Sequence, residues 1–219
     1  MSSEELGPAA EPERMSLDLV EPGMAKRRAW AGLVVAVLLG GALGGLFGLI
    51  FGRDTGLIVA LVVAGLILLL SWGTARRSVW LQGTVVSARA FGMKAVDLRT
   101  VEQLELIVTD MRGARTVGML VSGPPKGRAV NVSLATYAGT GGRELGILVL
   151  RRLADVLAAS ENTAGLVFSQ LLVAQLRAEA RGEAPPDRPL YQLASLAPAG
   201  RLAQRLRIDA VTKFVSALD

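Results

Sequence analysis

The chain has 219 residues, 51% of them hydrophobic, with 24 Lys and Arg against 19 Asp and Glu for a net charge of +5. It holds no Cys and no His, which excludes disulfides, thiolate chemistry, Cys/His zinc sites and every His-based triad. So apolar a chain of this length implies a membrane element beside one or two small domains.

Residues 1–25 carry six acids (Glu4, Glu5, Glu11, Glu13, Asp18, Glu21) against one base, Arg14, with Pro8, Pro12 and Pro22. Such a stretch buries too little apolar surface to fold and is expected to be a disordered acidic tail.

From Ala29 to Gly52 no residue is charged, and after the break Arg53-Asp54-Thr55-Gly56 the run Leu57 to Thr74 is again uncharged. At ~1.5 Å per residue the first run covers the ~30 Å hydrocarbon core. The pattern predicts a transmembrane hairpin over residues 26–77, with antiparallel helices at about 29–52 and 57–74. A cleaved signal peptide is disfavoured, because the run is too long for such a segment and a second one follows at once. Lys26-Arg27-Arg28 precedes the pair and Arg76-Arg77 follows it, against Arg53 beside Asp54 in the break. The positive-inside rule then puts both termini in the cytoplasm, in a multi-pass protein of the cell membrane, with Trp30 and Trp72 at one interface. Within the first helix Gly40, Gly44 and Gly48 recur every fourth residue, a helix-packing strip. It serves either dimerisation between chains or packing on the second helix, where Ala60 and Ala64 form a matching strip.

After Arg77 the texture becomes strand-like. Ser78 to Arg89 is rich in β-branched and aromatic residues, Phe91-Gly92-Met93-Lys94 reads as a turn, and Ala95-Val96-Asp97-Leu98 resumes a strand. Val101 to Val108, Thr116 to Val121 and Arg128 to Thr136 follow, separated by Asp110-Met111-Arg112-Gly113-Ala114 and by Ser122-Gly123-Pro124-Pro125-Lys126-Gly127. Arg143 to Ser160 turns helical, with Leu145, Leu148, Val149, Leu153, Val156 and Leu157 on one face and Arg151, Arg152 and Asp155 off it. Residues 78–160 thus read as an antiparallel β-sheet domain capped by a helix, an α+β module.

This meander opens with Trp80-Leu81-Gln82-Gly83, carries Val96-Asp97-Leu98 after its first hairpin, and closes with the helix at 143–160. In that order it resembles the bacterial pleckstrin-homology-like domains attached behind one or two transmembrane helices, notably in actinobacteria, whose Ala/Gly/Arg/Leu-heavy composition it shares. The resemblance implies a curved antiparallel sheet with a C-terminal helix and a binding or scaffolding role without catalysis. Eukaryotic relatives grip phosphoinositides through a basic cluster at the first hairpin, where this chain offers Arg89 and Lys94.

Residues 161–219 read as a helical C-terminal region. A helix is expected from Thr163 to Arg181, a linker over 182–189, and a final helix from about Pro198 to Leu218. Ile208, Val211, Phe214, Val215 and Leu218 share a face of the last helix, which suits either docking on the domain or lying on a bilayer.

Few motifs carry chemistry. Gly139-Thr140-Gly141-Gly142 precedes a helix but lacks the Lys-Ser/Thr of a phosphate loop and the spacing of a dinucleotide fingerprint, so it reads as a permissive loop. Arg89, Lys94, Lys126 and Arg128 are candidate lipid-phosphate contacts. Asp97, Glu102 and Glu105 read as strand-surface charge, and Ser122 with Lys126 misses the spacing of a Ser–Lys nucleophile. No catalytic set, cofactor, metal or nucleic-acid interface is expected. The expected role is a membrane-anchored, non-catalytic adaptor or scaffold that binds a protein partner or the inner leaflet. The alternative is a structural or accessory subunit of a larger membrane complex.

Overall fold

The structure is a computed structural model that describes residues 13–19, 22–75, 78–89, 92–124, 128–198 and 202–218, with the side chains of 22–29 and 72–75 outside that description. Glu4, Glu5, Glu11, Glu21, Arg76, Arg77, Phe91 and Lys126, and the side chains of Lys26, Arg27, Arg28 and Trp72, lie outside the described set.

Two long apolar helices, α1 (Pro22–Phe51) and α2 (Arg53–Ala75), lie near the start of the chain. Within them Trp30–Phe51 and Arg53–Ser71, 22 and 19 residues, are long and apolar enough to cross a membrane. The four-residue break expected between the helices contracts to Gly52, whose φ of +94° is a conformation open mainly to glycine. Arg53, Asp54 and Thr55 instead open α2. Asp54 sits in its first turn, where a carboxylate favours the helix dipole, and Thr55 Oγ1 donates to the Phe51 carbonyl at 3.3 Å.

Residues 13–19, 79–88 and 94–219 form a second compact unit, while 20–78 and the turn 89–93 group with the helices. Its first sheet has the order β1-β2-β3-β4, from β1 (Arg14–Ser16), β2 (Ser78–Gln82), β3 (Val85–Arg89) and β4 (Met93–Asp97). Gly83, at φ +62°, divides the expected long strand into β2 and β3. The expectation of a disordered tail fails for residues 13–19. β1 pairs antiparallel with β2, Met15 opposite Leu81, and Leu17 N–H donates to the Val79 carbonyl at 2.9 Å. Asp18 Oδ1 accepts from Val79 N–H at 3.1 Å, and Leu17 is 1% exposed. The helix pair is therefore inserted between two paired strands.

The second sheet has the order β8-β7-β6-β5-β9. Its strands are β5 (Gln103–Met111), β6 (Ala114–Gly123), β7 (Arg128–Ala138), β8 (Gly141–Glu144) and β9 (Gln204–Leu206). Arg112 and Gly113, both at positive φ, make the two-residue turn from β5 to β6, the geometry whose twist suits a hairpin. Leu104, Leu106 and Val108 alternate into the core from β5, as a half-buried strand requires. On β7 the register shifts opposite Val117/Gly118, and the extra residue lets Leu134 and Ala135 both be buried. The Gly139–Gly142 stretch belongs to the β7–β8 hairpin instead of leading into a helix.

Helices α3 (Ile147–Ala158), α4 (Thr163–Ala180), α5 (Pro189–Leu196) and α6 (Ile208–Ser216) complete the unit. Asn162 caps α4, its Oδ1 accepting from Ala164 N–H at 2.9 Å, and its Nδ2 ties the cap to the Val101 and Glu102 carbonyls. Buried residues of both sheets, including Leu81, Val96 and Met119, join Leu153, Phe168, Leu172, Leu190 and Val211 in one core. Residues 161–219 are thus part of the same unit as the sheets. The expected helix from Pro198 is instead the edge strand β9, Leu206 opposite Leu106, followed by α6. The linker expected over 182–189 holds a 3-10 turn at Pro185–Asp187, and α5 follows it with Leu190 and Leu193 buried. On α3 the buried residues are Leu150, Leu153, Ala154, Val156 and Leu157, so Leu148, expected on the inner face, lies outside.

Candidate functional site

Gly40, Gly44 and Gly48 of α1 turn toward α2. A Cβ on Gly44 would meet Ala60 Cβ at 2.5 Å and the Gly56 carbonyl at 2.7 Å, and one on Gly40 would meet the Ala60 carbonyl at 3.0 Å. Gly48 faces Gly56 Cα at 3.5 Å. These contacts run in opposite directions along the two helices, so the pair is antiparallel and its backbones approach as closely as small residues permit. Gly41 and Gly45 face away, with nothing within 4 Å of an added Cβ.

Three of the four candidate phosphate contacts lie among the described residues, and they are divided between the two sheets. Arg89 ends β3 and Lys94 lies on β4, both exposed beside one turn. Arg128, also exposed, opens β7 in the other sheet, and Lys126 lies outside the described residues. Among the carboxylates, Asp97 Oδ1 accepts from Arg99 N–H at 3.0 Å within a turn.

Two polar arrangements emerge that the sequence did not single out. The first is a groove of about 580 Å³ between β5, β9, the start of α4 and α6. Glu102, Glu105 and Asp209 line it with Arg205, Arg207, Asn162 and Thr212. Arg205 Nη1 meets Glu105 Oε2 at 3.0 Å, an ion pair whose alignment falls short of a hydrogen bond. Arg207 pairs with Asp209 at 3.3 Å on the exposed rim. Acidic and basic groups alternate along the groove and largely neutralise one another.

The second joins the β7–β8 hairpin to the segment before α5. Tyr137 Oη donates to Glu144 Oε1 at 2.6 Å, and Arg188 Nη1 donates to Glu144 Oε2 at 2.6 Å. Arg188 Nε also donates to the Glu183 carbonyl at 2.9 Å. The Glu144 and Arg188 side chains are 9% and 19% exposed, which makes this a nearly buried charge pair. Burial, and then the carboxylate of Glu144, hold the Tyr137 phenol far above its ordinary range. Tyr191 crosses the Tyr137 ring edge-on at 5.0 Å and donates to the Gly139 carbonyl. The phenol is buried, and with Arg188 it ties the β7–β8 hairpin to the segment before α5 through Glu144. The sequence signal was the Tyr137/Glu144 spacing across Gly-rich residues, legible only once the hairpin is known.

Among the described residues no group of His, Cys, Asp and Glu could hold a metal ion. Comparison with family models, with curated proteins and with solved structures finds no match.

Proposed function

We propose that the chain is a membrane-anchored, non-catalytic adaptor whose compact domain binds a partner at the cytoplasmic surface. The observation that carries this reading is the outer surface of the helix pair. Leu49 and Leu61 are 88% and 73% exposed, and Leu38, Ile50, Ile58 and Leu69 are exposed with them. Apolar surface on this scale needs lipid around it. The basic residues Lys26, Arg27, Arg28, Arg76 and Arg77 favour an orientation in which the segments flanking the pair face the cytoplasm. Two antiparallel sheets followed by α3 support the likeness to pleckstrin-homology-like modules, with β1 and β9 as additions from either end of the chain. The non-catalytic part rests on the lack of His and Cys and on the mutual neutralisation of the charged groups in the groove.

The test is fractionation of the full chain. It should remain in the membrane pellet after alkaline carbonate and leave it only with detergent; recovery in the carbonate supernatant refutes the anchor. A second reading, a subunit of a larger membrane complex, is favoured by Gly41 and Gly45, small residues turned away from α2. Gly41→Leu would then abolish co-purification with other membrane proteins while leaving the helix pair intact.

A further inference from the structure

We infer that the outer face of α3 is a second membrane contact, one that seats the domain on an anionic lipid surface; this rests on the membrane-anchor reading above. Within ten residues the chain exposes two large aliphatics and three arginines. Ile147 and Leu148 are 54% and 72% exposed in the first turn of α3, Arg151 and Arg152 are exposed one turn later, and Arg143 is exposed on β8 just before. At 100° per residue, Ile147, Arg151, Leu148 and Arg152 fall within one 140° sector, opposite the buried Leu150, Leu153 and Leu157. Asp155 is the one acid in that sector.

Other exposed apolar residues of the domain, Met111, Leu166, Leu196 and Leu202, do not sit beside an exposed aliphatic neighbour in sequence, an ordinary feature of protein surfaces. The α3 face differs because its two exposed aliphatics are adjacent and share their sector with two exposed guanidiniums, those of Arg151 and Arg152. They fit a bilayer well: aliphatics enter the acyl boundary while arginines meet lipid phosphates. A bilayer is also the surface the chain supplies for itself, since only residues 76–77 separate α2 from β2. The positive charge selects the anionic lipids. Each arginine near such a surface strengthens attachment about fivefold, so the two on α3 together contribute roughly 25-fold.

The experiment uses the full chain in lipid nanodiscs. Because the protein has no Cys, Leu148→Cys gives a single labelling position on an exposed side chain. A polarity-sensitive fluorophore there is compared in phosphatidylcholine discs and in discs with added phosphatidylglycerol, each with and without lipid-borne quencher. Expected are a blue shift and lipid quenching in anionic discs, reversed by high salt and by combined Arg143→Gln, Arg151→Gln and Arg152→Gln. A label on Gln170→Cys, exposed on α4, should not respond. A Leu148 label that stays solvent-exposed in anionic discs overturns the inference, as does a shift that appears only in discs carrying two copies, which would assign the face to a second chain. Failure of the protein to co-elute with discs would refute the anchor itself, so the two failures are distinguishable.

Discussion

The insertion of α1 and α2 between paired strands makes a strong prediction about the isolated domain. A fragment starting at Ser78 discards β1, exposing the edge of β2 and leaving empty the place that Leu17 fills at 1% exposure. Replacing residues 20–77 by a short Gly-rich turn retains it, because Leu17 N–H already lies 2.9 Å from the Val79 carbonyl and the ends of β1 and β2 are positioned to be joined. Removing a fully buried leucine side chain costs about 3 kcal/mol through lost burial and the cavity left behind. At about 3 °C per kcal/mol for a domain near 150 residues, Leu17→Ala in the bridged domain should lower Tm by about 10 °C. The fragment from Ser78 should fall at least as far, since it also loses the partial burial of Met15 and Leu19. Thermal melts followed by circular dichroism measure both. If Leu17→Ala melts within 2 °C of its parent, a difference of about 0.7 kcal/mol, or if the fragment and the bridged domain melt together, β1 is not part of the core and the reasoning fails.

Gly44→Leu should drive α1 and α2 apart and lower the melting temperature of the detergent-solubilised chain, whereas Gly41→Leu, with open space around it, should leave it unchanged. Glu144→Ala strands Arg188 without its partner in a nearly buried position and should cost about 3 kcal/mol by chemical denaturation. Tyr137 holds its proton more tightly folded than unfolded, so the stability it contributes is complete below pH ~10 and is lost as the pH rises further. The loss is about 1.4 kcal/mol per pH unit, and Tyr137→Phe should remove that part of the alkaline slope. Val215→Asp should release α6, seen as faster amide exchange across residues 204–216 with β6 and β7 still protected; uniform exchange across the domain would contradict it.

Much of this architecture is legible in the sequence because its signals are local. Two uncharged runs give two apolar helices, and β-branched segments between Gly- and Pro-rich turns give the strands. What sequence patterns missed depends on partners far along the chain. Met15, Leu17 and Leu19 alternate in strand fashion, but the surrounding acids and prolines mask a segment whose partner begins at Ser78. Gln204–Leu206 is too short to register as a strand and is one only because β5 offers an edge. Leu148 stands among apolar neighbours, yet at 100° per residue it falls on the side of its helix opposite the buried Leu150, Leu153 and Leu157. The close approach of the helices was readable from Gly40, Gly44 and Gly48; which helix they approach was not. The Tyr137–Glu144–Arg188 cluster combines residues up to 51 positions apart and has no local signature.

Met15 and Leu81 stand opposite one another across 66 positions of chain, almost all of it the two apolar helices. On the membrane-anchor reading proposed above, a nascent chain that threaded only one of those helices through a bilayer would strand the two partners on opposite sides, and the sheet could never close. Completion of the domain would then act as a proofreading step on membrane insertion. Mis-threaded copies would be left with a ragged sheet edge, the kind of surface that quality-control proteases recognise.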